Sequence, residues 1–399
     1  MIGTFQQKRK ITGTNLEFAG QHNRRAVLDL VRQFGTMSRA DMARMTNLTQ
    51  QTISNIVAEL VESDLLIGGA AVRNARGQPS IPYTLNPQGA YSLGFHIHAD
   101  AIVGVLTDLK SNVLSQRNHV IHKASPAQST PLILSMIEEL VSEAKIERAK
   151  ILGAGIALPT RFGLGTISTE GPTGYPDWNN AEARTEFSKS LGLSVFIEND
   201  AVATAIFERM HGAAKSIENF VLIFLDEGLG AGLFLKGQPF KGASLNAGEI
   251  GHMIVVPNGR ACACGNFGCL ERYVSLRAAY ECLEGTTEDP QNNAHFTIES
   301  HPKLDQWLGD AGQHLATAVN IFETLMDPET IIVAGRTTGL IIEKLIQSVA
   351  PLPVSVAARP TRGLPRLIAG TVGPIATAQG AAAIPIFQEL NPALEGLMK

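Results

Sequence analysis

The sequence predicts an α/β protein that carries a winged helix-turn-helix head at its N-terminus. Three observations lead there. Three helical patterns follow one another closely before a Gly- and Arg-containing hairpin pattern. Beyond Tyr91, strand-like runs alternate with helical ones. The length, 399 residues, exceeds what a single ordinary core organises. The expected division is a head over residues 1–85 and a body over residues 86–399.

In the head, Ala26, Val27, Leu30 and Val31 form one apolar face of a helix that ends near Phe34-Gly35. Ser38 caps a short second helix through Met45, with Asp41 as its capping partner. Asn47, tolerant of left-handed backbone, makes the turn. A third helix runs from near Thr49 to about Ser63, with Ile53, Ile56, Val57, Leu60 and Val61 facing inward. Gln50, Gln51, Ser54 and Asn55 are left on the opposite face near the helix start. Amide side chains there can bond adenine in two places, which is the pattern of a recognition helix. The alternative is a solvated polar face in an ordinary three-helix bundle. Leu65-Leu66-Ile67, the stretch from Arg73 to Pro79 and the extended Tyr83-Thr84-Leu85 read as a wing. Arg73 and Arg76 are its candidate DNA contacts, Arg76 placed for a narrow minor groove. The alternative there is an exposed loop with incidental arginines.

Net charge is −4, yet residues 1–80 hold ten Lys/Arg against six Asp/Glu, so the remainder carries −8. A basic reader on an acidic body fits that asymmetry. No run approaches the roughly 20 apolar residues of a membrane helix. Lys8, Arg9 and Lys10 are not followed by an apolar stretch, so no secretory signal and a cytoplasmic location are expected. Residues 1–20 read as a basic arm.

In the body, apolar runs over 92–106 precede a turn cluster at 107–112. Helices are expected over 132–144, 181–191, 200–210 and 311–325, and strands over 151–158, 194–197, 220–225 and 330–334. No internal repeat or low-complexity tract is visible, and 289–293 is the most loop-like interior stretch.

Three of the four cysteines fall within eight positions, as Cys262, Cys264 and Cys269, with His252 ten residues before the first. Clustering in a large, Cys-poor chain suggests a metal rather than disulfides. Three thiolates and one imidazole make a closed tetrahedral set, as in structural zinc sites, with no position left for a reacting water. Gly265 and Gly268 allow the tight turns this needs. Three free or oxidised thiols are the alternative. Cys282 stands apart and reads as a buried apolar residue.

Gly248-Glu249-Ile250-Gly251-His252, followed by Cys262-x-Cys264-Gly-x-x-Gly-Cys269-x-Glu271, resembles the signature of the ROK family, which combines transcriptional repressors and sugar kinases. Glu198-Asn199-Asp200-Ala201 is similar to its sugar-contacting segment. The resemblance covers residues 22 to about 385. It implies a two-lobed, actin/hexokinase-like body with sugar bound between the lobes, and a homodimer or homotetramer. Lobe 1 would be about 86–198 plus a C-terminal helix over 380–399, and lobe 2 about 199–379. It further implies that Asn199, Asp200, Glu249, His252 and Glu271 bind sugar hydroxyls. Kinases of the family open the body with roughly Asp-x-Gly-Gly-Thr, where backbone amides hold phosphates. Here that stretch reads His96-Ile97-His98-Ala99-Asp100, so side chains fill the phosphate space. Gly228-x-Gly230-x-Gly232 resembles a second phosphate loop but equally suits a hairpin, and the family's later Gly-Gly pair is changed in Ala334-Gly335-Arg336.

The expectation is therefore a non-enzymatic, sugar-responsive repressor of carbohydrate uptake or catabolism genes that binds operator DNA. Two alternatives stay open: a sugar kinase with an appended DNA-binding head, and a repressor controlled by a protein partner. Trp178 lies either near the cleft or in the core.

Overall fold

The computed structural model describes residues 16–72, 80–122, 124–159, 175–179, 181–284, 298–357 and 363–391. They divide into two units: residues up to Ala90 with those from Ile386 onward, and Tyr91–Pro385.

Helix α1 (Leu16–Phe34) buries Val27, Leu28 and Val31, while Ala26 and Leu30 are half-buried. It ends at Gly35, whose φ of +78° a residue with a Cβ rarely adopts. A two-residue strand β1 (Met37–Ser38), too short for any periodicity, leads into α2 (Arg39–Thr46). Ser38 Oγ accepts from the Asp41 amide at 3.2 Å and donates to the Asp41 carboxylate at 2.7 Å, closing the first turn. Asn47 stands at φ +57°, and Thr49 caps α3 (Gln50–Glu62) by accepting from the Thr52 amide at 3.1 Å. Ile53, Ile56, Val57 and Leu60 are buried. Val61 is not: it is 40% exposed, because eight residues turn a helix about 80° past its starting face. Strands β2 (Leu66–Gly68) and β3 (Pro82–Leu85) complete a small sheet in the order β1-β3-β2, extended by a bridge between Val72 and Ser80. Arg73 and Arg76 lie outside the described residues.

The body starts with a meander of β4 (Tyr91–Ile97), β5 (Ala101–Asp108) and β6 (Val113–Val120). Helix α4 (Pro126–Ala144), β7 (Ile151–Leu158), α5 (Ala181–Ser190) and β8 (Val195–Asn199) follow, giving a sheet ordered β6-β5-β4-β7-β8. After α6 (Asp200–Met210) the plan repeats. Strands β9 (Phe220–Leu225), β10 (Leu229–Leu235) and β11 (Gln238–Pro239) form the second meander. Helices α7 (Glu271–Val274), α8 (Leu276–Glu284) and α9 (Leu304–Met326) lead to β12 (Thr330–Gly335), α10 (Gly339–Ser348) and β13 (Leu367–Val372). The second sheet is ordered β11-β10-β9-β12-β13, the same path as the first, although the sequence shows no repeat. Each sheet has its own apolar core. Strands β4, β5, β9 and β12 are buried along their whole length, as the unbroken apolar runs of β9 and β12 require.

Helix α11 (Ala376–Leu390) closes the body. Up to Pro385 it lies against the first sheet at glycines. A Cβ on Gly94 would meet the Ala378 carbonyl oxygen at 2.1 Å, and one on Gly155 would meet that of Ala381 at 1.9 Å. Gly380 approaches Ala203 of α6 in the same manner, and Gly232 of β10 approaches Ala201 and Ala205. Small residues thus hold α6 and α11 between the two sheets.

Trp178 belongs to the core. It is fully buried, donates to the Ala124 carbonyl at 2.9 Å and meets Phe187 edge-on. Residues 289–293 lie outside the described residues.

Candidate functional site: a metal-binding group beside an acidic cleft

Two narrow backbone pairings, Ile254 with Cys269 and Ala261 with Phe267, fold residues 254–269 back on themselves. Gly265 and Gly268 stand at φ +89° and +78°, and a Cβ on Gly268 would collide with the Val256 carbonyl oxygen at 1.6 Å. The result gathers His252, Cys262, Cys264 and Cys269, whose donor atoms lie within 4.8 Å of one another. Cys264 Sγ is 3.6 Å from Cys269 Sγ, and Cys262 Sγ is 3.6 Å from His252 Nδ1. A tetrahedral ion with metal–sulfur bonds of ~2.3 Å sets sulfur–sulfur edges near 3.8 Å, so the group could hold a metal ion. All four cysteines are free. Burial pushes the Cys262 thiol upward and the Cys269 thiol up to about 11, so binding an ion must displace protons. Cys282 is half-buried on α8 and packs against the second core.

The cleft, about 680 Å³ including its open mouth, lies where the parallel strands end. His98 follows β4, Pro159 follows β7, Asn199 ends β8, Asp226 follows β9 and Arg336 follows β12. One wall carries Asn199, Asp200, Glu249, His252 and Glu271, so the five residues drawn from the family resemblance line one space. Asn199 caps α6, its side-chain oxygen accepting from the amides of Ala201 at 2.9 Å and Val202 at 3.4 Å. Asp200 accepts from the Ala201 amide at 2.7 Å. His252 joins the two sites: Nδ1 lies toward Cys262 and, at 3.5 Å, Glu271, while Nε2 is 3.9 Å from Glu249. Cys262 Sγ is 3.0 Å from the same Glu271 carboxylate.

The other wall joins Arg336, from the altered Gly-Gly pair, to Asp226 and Glu227, to which the sequence alone assigns no part in the site. Arg336 Nε lies 3.0 and 3.1 Å from the two oxygens of Asp226, and its Nη2 lies 3.4 Å from Glu227. Burial works against the guanidinium charge, but Asp226, Glu227 and Asp100 together outweigh it and hold Arg336 charged. Asp226 and Arg336 are 110 residues apart, joined by the parallel pairing of β9 with β12, so no local spacing could reveal them. Behind them, His96 is fully buried and neutral, its pKa pushed down to about 3 by desolvation. Burial and the Asp226 carboxylate push Asp200 the other way, up to about 7. Tyr175, buried near these acids, has its phenol held neutral by desolvation and by Glu227, Asp226 and Asp200. Asp100 does not line the cleft; it lies at the surface, 3.6 Å from His122.

In the head, Gln50, Gln51 and Asn55 are exposed on α3 and Ser54 is half-buried; Gln51 and Asn55 lie opposite the apolar stripe, Ser54 flanks it, and Gln50, seven residues before Val57, lies on the stripe's own side at the helix start. Gln51 Nε2 donates to Asn55 Oδ1 at 2.9 Å. Among the described residues no helix is long and apolar enough to cross a membrane.

The ROK family model matches residues 92–386. Over 267 residues the chain is 28% identical to the xylose repressor of Bacillus spizizenii, covering 67% of this chain and 69% of that one. It is 26% identical over 343 residues to the N-acetylglucosamine repressor of Escherichia coli, covering 81% and 82%. A crystal structure of a ROK family transcriptional regulator, described as a homologue of the Escherichia coli MLC protein, superposes with a TM-score of 0.73 at 27% identity, covering 96% of this chain and 98% of that one. The ROK hexokinase of Thermus thermophilus shares the fold, with a TM-score of 0.57 at 22% identity over 76% of this chain and 100% of that one. With the family model spanning most of its length and its two repeated sheets meeting at one cleft, the chain belongs to the ROK family.

Proposed function

We propose that this chain is a sugar-responsive transcriptional repressor that reads operator DNA with α3 and its wing and holds a sugar effector in the cleft. One observation carries the reading. A cleft polar on its sugar wall is occupied, on the wall where a phosphate donor would lie, by His98 and the Asp226–Arg336 pair. A ligand can be gripped there, while a nucleotide's phosphates would meet two carboxylates and a guanidinium already paired. The relatives named as repressors favour the same reading.

Carboxylates and amides suit vicinal hydroxyls, and a ligand lacking one hydroxyl leaves its partner unpaired. Asn199 would contribute its amide nitrogen, since the oxygen caps α6. Glu249 and Glu271 would accept hydroxyl protons on either side of His252. The ion we assign to His252, Cys262, Cys264 and Cys269 is zinc, with a structural role: it would fix the imidazole that faces the sugar. No phosphoryl transfer is assigned to this chain, and Asp200 serves to bind rather than to deprotonate. Gln50, Gln51, Ser54 and Asn55 would meet base edges, and Arg73 and Arg76 the backbone or minor groove. A homodimer or homotetramer on a two-fold operator follows from reading DNA in this way, as does residence in the compartment that holds the DNA.

The test compares operator affinity of the full chain with and without a panel of sugars, in wild type, Asp200→Ala and Glu249→Ala. Xylose and N-acetylglucosamine come first, because they name the relatives. One sugar should change wild-type affinity at least tenfold, which requires about 1.4 kcal/mol of unequal binding to the two states. Both variants should lose that response and keep sugar-free affinity. An undiminished response in the variants would sink the site assignment.

A further inference from the structure

The floor of the cleft holds a second set of metal-binding donors, separate from the cysteine group. His96 on β4, Asp200 at the start of α6 and Asp226 after β9 each present one donor atom, and the three atoms lie within 4.8 Å of one another. All three residues are buried.

Two independent features call for a cation among them. The first is His96. It is 0% exposed, and neither ring nitrogen has a hydrogen-bond partner. Leaving a buried polar group unpaired costs about 1–3 kcal/mol, and a neutral imidazole carries on one nitrogen the lone pair a metal takes. The second is charge. Asp200 and Asp226 bring carboxylate oxygens within 4.8 Å of each other in a buried space. Two like charges so close and so buried oppose each other, and a divalent ion bound to both offsets that repulsion. Arg336 does not stand in the way. Each carboxylate oxygen has two acceptor sites, so Asp226 can keep its arginine and still ligate, with the guanidinium orienting it from behind.

We infer that His96, Asp200 and Asp226 hold a divalent transition-metal ion at the base of the cleft. One imidazole and two carboxylates suit ions such as Mn²⁺, Fe²⁺ or Co²⁺, whereas the thiolate group selects zinc. The two sites therefore fill with different metals. The assignment stands apart from the sugar reading, since it requires no sugar.

The full chain, carrying one equivalent of zinc, is titrated with Mn²⁺ while the free ion is followed by its EPR signal. The expected result is one Mn²⁺ bound per chain in addition to the zinc. His96→Ala and Asp226→Asn should each weaken uptake at least ~10-fold, the scale on which even outer-shell partners act. Zinc content and thermal melting check that these variants remain folded. Pulsed EPR on the unmodified chain gives a reading independent of any variant: the bound Mn²⁺ should show nitrogen coupling from one imidazole. No uptake by the wild type at millimolar Mn²⁺, uptake unchanged in both variants, or bound Mn²⁺ without nitrogen coupling would each overturn the inference.

Discussion

At the scale of single residues, the cleft depends on two buried groups whose protonation the fold pushes in opposite directions. Asp200 has an ordinary value of 3.8 unfolded and about 7 folded, so between those limits the native state holds the extra proton and stability falls as pH rises. His96, at 6.5 unfolded and about 3 folded, gives the reverse: its contribution is present above 6.5 and lost as pH falls toward 3. Asp200→Asn keeps the acceptor that meets the Ala201 amide and removes only the charge. With no divalent metal added, the stability advantage of this variant should grow from near zero at pH 4 to a plateau above pH 7. The rise from 3.8 to about 7 corresponds to an upper bound of roughly 4 kcal/mol. His96 is common to both proteins and cancels. Urea melts at a series of pH values measure this, and a pH-independent difference would contradict it. The sequence draws attention to Asp200 through its family position and to His96 through the altered phosphate motif. It does not reveal that they are neighbours, because strands far apart in the chain bring them together.

At the scale of elements, the local signals were the most readable. The strand Ile151–Leu158, the helix Asp200–Met210 and the strand Phe220–Leu225 lie where their apolar periodicity puts them. Ser38 and Asn47 act as the cap and turn their side chains suggest, and Thr49, near which the third helix is expected to start, proves to be its cap. What periodicity missed was short: β1, with two residues, and the four-residue α7; of the two readings open for the glycine run, the hairpin is the one β10 adopts. Thr49→Ala should destabilise the head by about 1 kcal/mol through loss of the α3 cap. Gln51→Ala touches no core residue, so it should weaken operator binding by roughly 1–3 kcal/mol and leave head stability within about 0.5 kcal/mol. Circular dichroism melts beside operator titrations separate the two effects. Cys264→Ser removes one of four metal donors. It should abolish stoichiometric zinc and lower the melting temperature of the body by roughly 5–10 °C, a loss of a few kcal/mol. Full zinc content with an unchanged melt would contradict that role.

At the scale of the whole molecule, the body is one plan used twice, joined through helices made of small residues. Gly155 accepts the backbone of α11 so closely that Gly155→Val would drive a side chain into the Ala381 carbonyl, and folded body should be lost from soluble expression. The repetition was invisible in the sequence because strand order, not residue identity, is what repeats. The metal group was visible because cysteines and glycines at fixed spacing leave few alternatives, whereas the wall built by Asp226, Glu227 and Arg336 depends on strand pairing across more than a hundred residues. Ligand in this cleft is expected to control DNA binding by the head, and footprinting the full chain on DNA upstream of its own gene, with and without a panel of sugars, measures that coupling. The expected result is protection that one sugar strengthens or relieves, with the response gone in Asp200→Ala. Protection that no sugar alters, or no protection together with sugar-dependent release of ADP from ATP, would contradict it.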